Sequence, residues 1–266
     1  MFKESLCKAK KFPFDAASAI LRSTDLADKV SVSTVRRVLT ANNLNARFAA
    51  VKPKLNNNQI RRRLSFAKLH QNWAPLDWQK IIFSDECRIE LNPKTKSYVR
   101  RPKHMRFHPK YITESSKFSS SIMLWGAIRY DGKKMLIKCN TNVNSDEYIR
   151  ILTEGLPQIY NHRYRFQQDG APCHRSRQTM QFLEEKMIRQ LENWPAQSPD
   201  INIIENVWKI LKENVKKHHC NNLNELWRVI QLEWERIPVD LIKKTYDSLP
   251  NRMKAIIFSK GRTTKY

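Results

Sequence analysis

The segment Ile81-Ile82-Phe83-Ser84-Asp85-Glu86-Cys87-Arg88-Ile89-Glu90-Leu91 constrains the fold most. It begins as an unbroken apolar run and passes into strict alternation. That pattern predicts a strand buried on both faces at its start, with charged groups at its far end. A strand of this kind needs neighbours, and the downstream sequence offers them. Tyr98–Arg101 and Ser121–Ile128 read as strands, and Asp131-Gly132 is a hairpin turn leading into Lys134–Lys138. A helix is predicted over Ser145–Tyr160, capped by Ser145, with Asp146 and Glu147 in its first turn. Arg165–Gln168 is a short strand ending at Asp169-Gly170. Helices then follow over Ser176–Met187, Ile203–Lys217, Leu223–Arg236 and Val239–Leu249, with a short strand expected at Ile188–Leu191.

Three strands, a helix, a strand, a helix and a helical ending give an α/β architecture: a mixed sheet flanked by helices. This is the order of an RNase H-like core. At 266 residues the chain is long enough for one such core plus a smaller module. We place the division near residue 75: a small all-α region at 1–75, and 76–266 as the α/β core with C-terminal helices.

The first region is marked by charge. Lys and Arg number 49 against 25 acidic residues, a net +24. Such an excess repels itself unless a polyanion offsets it, and nucleic acid is the commonest such partner. From Lys29 to Pro75 the chain has no Asp or Glu but carries Arg36, Arg37, Arg47, Lys52, Lys54, Arg61, Arg62 and Arg63. A one-sign stretch is a footprint for phosphates. Within it, Ser31 or Ser33 caps a helix whose Val35, Val38 and Leu39 form an apolar stripe, with Arg36 and Arg37 on the other face. That is the form of a helix-turn-helix recognition helix. Val51-Lys52-Pro53-Lys54 reads as an extended basic linker, and Asn58–Gln71 as a helix headed by Arg61, Arg62 and Arg63. No apolar run is long enough to cross a membrane. Five scattered cysteines, never spaced as Cys-x-x-Cys, point away from a disulfide scaffold. His218-His219-Cys220 lacks a second ligand pair and reads as a solvated helix end rather than a zinc site.

Three acids are placed for chemistry: Asp85 after a buried strand, Asp169 before Gly170, and Glu205 at a helix start after the Pro-rich loop 194–200. Carboxylates brought together repel, and divalent metal resolves the repulsion. Pattern alone leaves alternatives. Glu86 and Glu90 compete with Asp85, Asp169-Gly170 is also a plain turn, and Asn202-Ile203-Ile204-Glu205 has capping-box spacing.

The segments Phe83-Ser84-Asp85-Glu86, Gln167-Gln168-Asp169-Gly170-Ala171-Pro172-Cys173-His174 and Trp194 through Trp208 resemble the three catalytic blocks of Tc1/mariner transposases, in the Tc1-like branch. Between Asp169 and Glu205 lie 35 residues, close to that branch's spacer. The resemblance covers roughly residues 30–266 and includes the ending Ser259–Tyr266. It implies a metal-binding catalytic triad of Asp85, Asp169 and Glu205 holding Mg²⁺, for which Mn²⁺ substitutes, as a pair of ions. It implies DNA cleavage at transposon ends and strand transfer into target DNA at TA dinucleotides. It also implies a homodimer on paired ends of double-stranded DNA. With no basic amphipathic helix flanked by a lipid anchor, no membrane association is expected, and a basic DNA enzyme without export signals is expected to act in the nucleus. His174 belongs by resemblance to the catalytic loop, either touching the scissile phosphate or supporting the ligands from behind.

Two departures stand out. The family has two helix-turn-helix units joined by a Gly-Arg-Pro-Arg-like hook; only the second, near Val30–Leu44, is placed here, and no hook is found. Ile203 stands where many relatives carry Pro. The competing reading is a catalytically inactive, transposase-derived DNA-binding protein.

Overall fold

The computed structural model describes residues 2–47, 52–91, 101–102, 104–105, 108, 120–140 and 142–266. The strand expected at Tyr98–Arg101 falls almost wholly outside them. The chain divides into two compact units, Met1–Lys52 and Pro53–Tyr266.

The first unit is three helices: α1 (Lys3–Lys11), α2 (Ala17–Arg22) and α3 (Val32–Ala41). Ser31 caps α3 by accepting from the Thr34 N–H at 3.2 Å. Val35 and Leu39 are buried with Ile20, Leu21 and Leu26, while Arg36 and Arg37 stay exposed on the opposite face. The helix α1 was not anticipated. Its charge hides Leu6 and Ala9, which pack against this small core.

Among the described residues, the second unit is built on a four-stranded sheet in the order β3-β2-β1-β4. Its strands are β1 (Ile81–Glu90), β2 (Ser121–Ile128), β3 (Lys134–Lys138) and β4 (Arg165–Gln167). β1 runs antiparallel to β2 and parallel to β4, and β2 runs antiparallel to β3. The sheet is mixed, as expected. The segment 188–191 contributes only a single bridge, Gln190 to Phe166.

Both sheet faces are covered. On one lie α6 (Ser145–Ile159) and α7 (Arg177–Glu185), over Ile82, Trp125, Ala127 and Phe166. On the other lie α8 (Ile204–Val215), α9 (Leu223–Glu235), α10 (Val239–Asp247) and α11 (Leu249–Phe258), over Phe83, Cys87 and Leu124. Gly126 makes the second face possible, because a Cβ there would meet the Trp208 ring at 2.5 Å. Any larger residue would lift α8 off the sheet. Asn144, not Ser145, caps α6: its side chain accepts from the Glu147 N–H at 2.9 Å.

The helix α4 (Asn57–Leu69) and the short α5 (Pro75–Trp78) belong to this second compact unit. The reason is packing. Phe66 and Ala67 of α4 are buried in the larger core, and α4 lies against α11. The basic head of α4 hides an apolar back that faces the α/β core.

Candidate active site

Alternation along β1 sends neighbouring side chains to opposite faces of the sheet. Ile81, Phe83, Cys87 and Ile89 point to the α8 side, and Asp85 shares their parity. Glu86 points to the α6 side, where it meets His174. Two acids adjacent in sequence thus occupy different environments, a distinction that pattern alone did not supply.

Glu205 lies in the first turn of α8. It does not complete a capping box: the α8 N-cap has no side-chain hydrogen bond, and the Asn202 amide donates instead to the Ser84 carbonyl at 3.3 Å. That bond ties the start of α8 to β1 one residue before Asp85 and keeps the Glu205 carboxyl within electrostatic reach of Asp85. Ile203 already has helical backbone, φ −71°, which a proline would also adopt. The substitution therefore leaves the helix start unchanged.

Burial raises the pKa of both acids, and for Asp85 the charges of Glu205, Glu86 and Asp169 push further the same way, to about 8. Lys212, two turns along α8 from Glu205, offsets part of this for Glu205. Asp85 therefore holds its proton at neutral pH, beside a second acid whose pKa is also raised.

Asp169 follows β4. Its carboxylate accepts from the Ala171 N–H at 2.9 Å, so the plain turn reading is also true of it. The same Oδ1 lies 2.7 Å from His174 Nδ1. That nitrogen has no aligned hydrogen bond, so the contact is chiefly electrostatic. On its other side His174 reaches Glu86 at 3.2 Å, and its ring lies 4.0 Å from that of Tyr148. Burial alone would lower the pKa of this imidazole, but the two carboxylates outweigh it and raise it to about 10. Asp169 shifts oppositely: burial works upward, and His174 with the Ala171 N–H brings it below the ordinary value. His174 is thus a cation that braces Asp169 against Glu86.

Among the described residues no three His, Cys, Asp or Glu side chains form a ready-made cage for an ion. Asp85 and Glu205 face each other, and Asp169 faces His174. The donor chemistry nevertheless fits a hard divalent cation. Asp85 is held back from ionising by burial and by three neighbouring carboxylates, which is the deficit such an ion relieves. His218 is bonded to Glu233 at 3.1 Å, in keeping with a structural role rather than a zinc site.

Of the eight basic residues picked out for DNA, Arg36, Arg37, Arg47, Lys52, Lys54, Arg61 and Arg62 are exposed. Arg63 is a correction. It is fully buried and forms a two-pronged ion pair with Asp200 at 2.7 and 2.6 Å. It also donates to the Ser198 hydroxyl and to the Gly261 and Arg262 carbonyls. Asp200 further accepts from the Thr264 N–H and hydroxyl. Arg63 therefore clamps the loop that leads into α8 and has no side-chain surface for a phosphate. Its place on the inward face of α4, beside Phe66 and Ala67, was the available signal. Lys212 and Arg175 were overlooked; Lys212 was recoverable from its seven-residue spacing to Glu205 on one helix face.

A family model described as DDE superfamily endonuclease matches residues 80–227. A helix-turn-helix family described as transposase matches residues 6–72. The Tcb2 transposase of Caenorhabditis briggsae is 31% identical over 242 residues, spanning 89% of this chain and 88% of that one. The Tc1 transposase of Caenorhabditis elegans is 31% identical over the same shares. The chain belongs to the DDE-superfamily transposases, in their Tc1-like branch. Among solved structures, the Mos1 transposase paired-end complex aligns with all of this Tc1-like chain and 80% of that one, at TM-score 0.79 and 18% identity. The Mos1 mariner catalytic domain aligns over its whole length with 81% of this chain, at TM-score 0.60 and 19% identity. The fold of this transposase-family chain is accordingly RNase H-like, preceded by a helical helix-turn-helix region.

Proposed function

We propose that the chain is a cut-and-paste DNA transposase, cleaving DNA at transposon ends and joining the freed end into target DNA at TA sites. Asp85, Asp169 and Glu205 are its catalytic carboxylates. The observation that carries this reading is the convergence of charge on Asp85, with Glu205, tied close by the Asn202–Ser84 bond, and Asp169 both in electrostatic reach, in a chain of DDE-transposase family.

The three carboxylates are the ligands for Mg²⁺, or Mn²⁺ in its place. When bound, a pair of such ions activates the attacking oxygen and stabilises the leaving one in phosphodiester cleavage. The protein supplies the rest. Asp85 must release its proton for the carboxylate to act as a ligand. Asn202 holds α8 to β1, so that Glu205 stays opposite Asp85. His174 keeps Asp169 from swinging away. Arg36 and Arg37 of α3 and Arg61 of α4, all exposed, neutralise phosphates of duplex DNA. Mos1 has been solved with paired transposon ends, and this supports a homodimer on paired ends for our chain too. A DNA enzyme of this kind acts in the nucleus.

The test is nicking and strand transfer on a supercoiled plasmid carrying the element's own ends, with Mg²⁺ or Mn²⁺. The unaltered chain nicks and joins, while Asp85→Asn, Asp169→Asn and Glu205→Gln each fall to background and still bind DNA. Absence of nicking in the unaltered chain, or nicking undiminished by these changes, overturns the reading and leaves a DNA-binding protein.

A further inference from the structure

Beside Asp169 opens a cavity of about 870 Å³, walled by α4, the turn after β4 and the segment Gln190–Trp194. It lies at the upper end of the size range of ligand pockets, ~300–1,000 Å³. Its lining is not that of a small-molecule site. Arg62 projects from α4 and Arg175 from the turn, both exposed, while Asp169 and Gly170 form one edge. The Arg175 guanidinium is held against the backbone: a Cβ on Gly170 would sit 3.2 Å from its Nε. Glycine at 170 thus lets a cation lie flat next to Asp169. Opposite, Trp194 is partly buried, propped edge-on by Phe66 at 5.4 Å and Phe83 at 6.0 Å, and Leu69 adds apolar surface. Two cations flanking an aromatic wall form the pattern that holds a single nucleic-acid strand: phosphates on the cations, base faces on the ring.

We infer that this cavity is a single-strand DNA cradle in which Arg62 and Arg175 bind successive phosphates of the strand that passes Asp169, and Trp194 offers a base its stacking surface. The inference rests on the transposase reading and adds to it a site and two residue roles. Arg62 acts here apart from its neighbours: Arg63 is buried beneath the helix.

The experiment measures binding of a short labelled oligonucleotide by anisotropy across a salt series without divalent metal, once as a single strand and once as a duplex. Each phosphate contact on a single strand contributes about 0.7 to the slope of log K against log salt. Arg62→Gln and Arg175→Gln should each lower the single-strand slope by about 0.7 and leave the duplex slope nearly unchanged. Arg62→Lys and Arg175→Lys should restore it. Trp194→Leu should weaken single-strand binding without altering the slope. An unchanged single-strand slope in both Gln variants overturns the cradle, as does an equal loss on duplex. Plasmid nicking by the unaltered chain separates the two claims. Nicking with unaltered slopes sinks the cradle alone, whereas the predicted slopes without nicking support the cradle and sink the enzymatic reading.

Discussion

At the scale of single residues, the site is dominated by acids that the fold holds away from their ordinary ionisation. Asp85 is raised from 3.8 to about 8, so the folded chain carries a proton there that the unfolded chain has already lost. Stability tied to that proton is complete below about pH 4 and disappears as the pH rises through about 8. His174, raised from 6.5 to about 10, acts in the same direction over a higher window: its contribution is complete below 6.5 and is lost through about 10. The metal-free chain should therefore melt at progressively lower temperature from about pH 5 to about pH 8. Mg²⁺ should raise the melting temperature more at the upper end, because it binds the deprotonated pair. Asp85→Asn should flatten the pH dependence and remove most of the Mg²⁺ effect. An equal Mg²⁺ shift in that variant would count against Asp85 as a ligand. Long ordered motifs single out the three acids in the sequence, but their surroundings were not legible there. Nothing in Asp85-Glu86 says which acid faces α8, and the spacing of Asn202 and Glu205 suggested a cap that does not form: the Asn202 amide N–H donates to the Ser84 carbonyl and its oxygen caps nothing.

At the scale of elements, the entrance to α8 is fixed by polar links rather than by its own cap. Arg63 of α4 and Asp200 of the preceding loop form an almost wholly buried pair, and Arg252 of α11 donates to the Asp200 carbonyl at 2.8 Å and to Asn206 of α8 at 2.7 Å. Burial works against the Asp200 charge, and Arg63 overcomes it, so the acid titrates below its ordinary range. Removing one partner of a buried pair strands the other, at a cost of about 3–5 kcal/mol. Arg63→Ala should show a loss of that size in urea denaturation, and Arg63→Lys a smaller one, since the charge remains but the two-pronged geometry does not. A loss under ~1 kcal/mol would mean that water reaches Asp200 and relieves it. The long periodic helices and the strands β1 to β3 were readable from their patterns. The exceptions share a cause: α1 and the inward face of α4 are so rich in cations that their few apolar contacts were masked, and the segment 188–191 pairs too briefly to make a strand.

At the scale of the whole molecule, the +24 charge is spread over both compact units. Duplex binding should weaken steeply with salt, and Arg36→Gln with Arg37→Gln should lower the duplex slope by about 0.9 each. A slope indifferent to both would remove α3 from the DNA-contacting surface. The division into a helical region and an α/β core was legible in broad outline, although charge continues across Lys52 while packing changes there. The clamp around Arg63 has a consequence for how the protein is made. Arg63 closes onto the Gly261 carbonyl, 198 residues further along the chain. Contacts of such long sequence separation form late and slowly. During synthesis, α4 and the loop before α8 cannot take up this clamp until Gly261 has left the ribosome, so the brace on the start of α8 closes only after the whole sheet and the helices around it have been made.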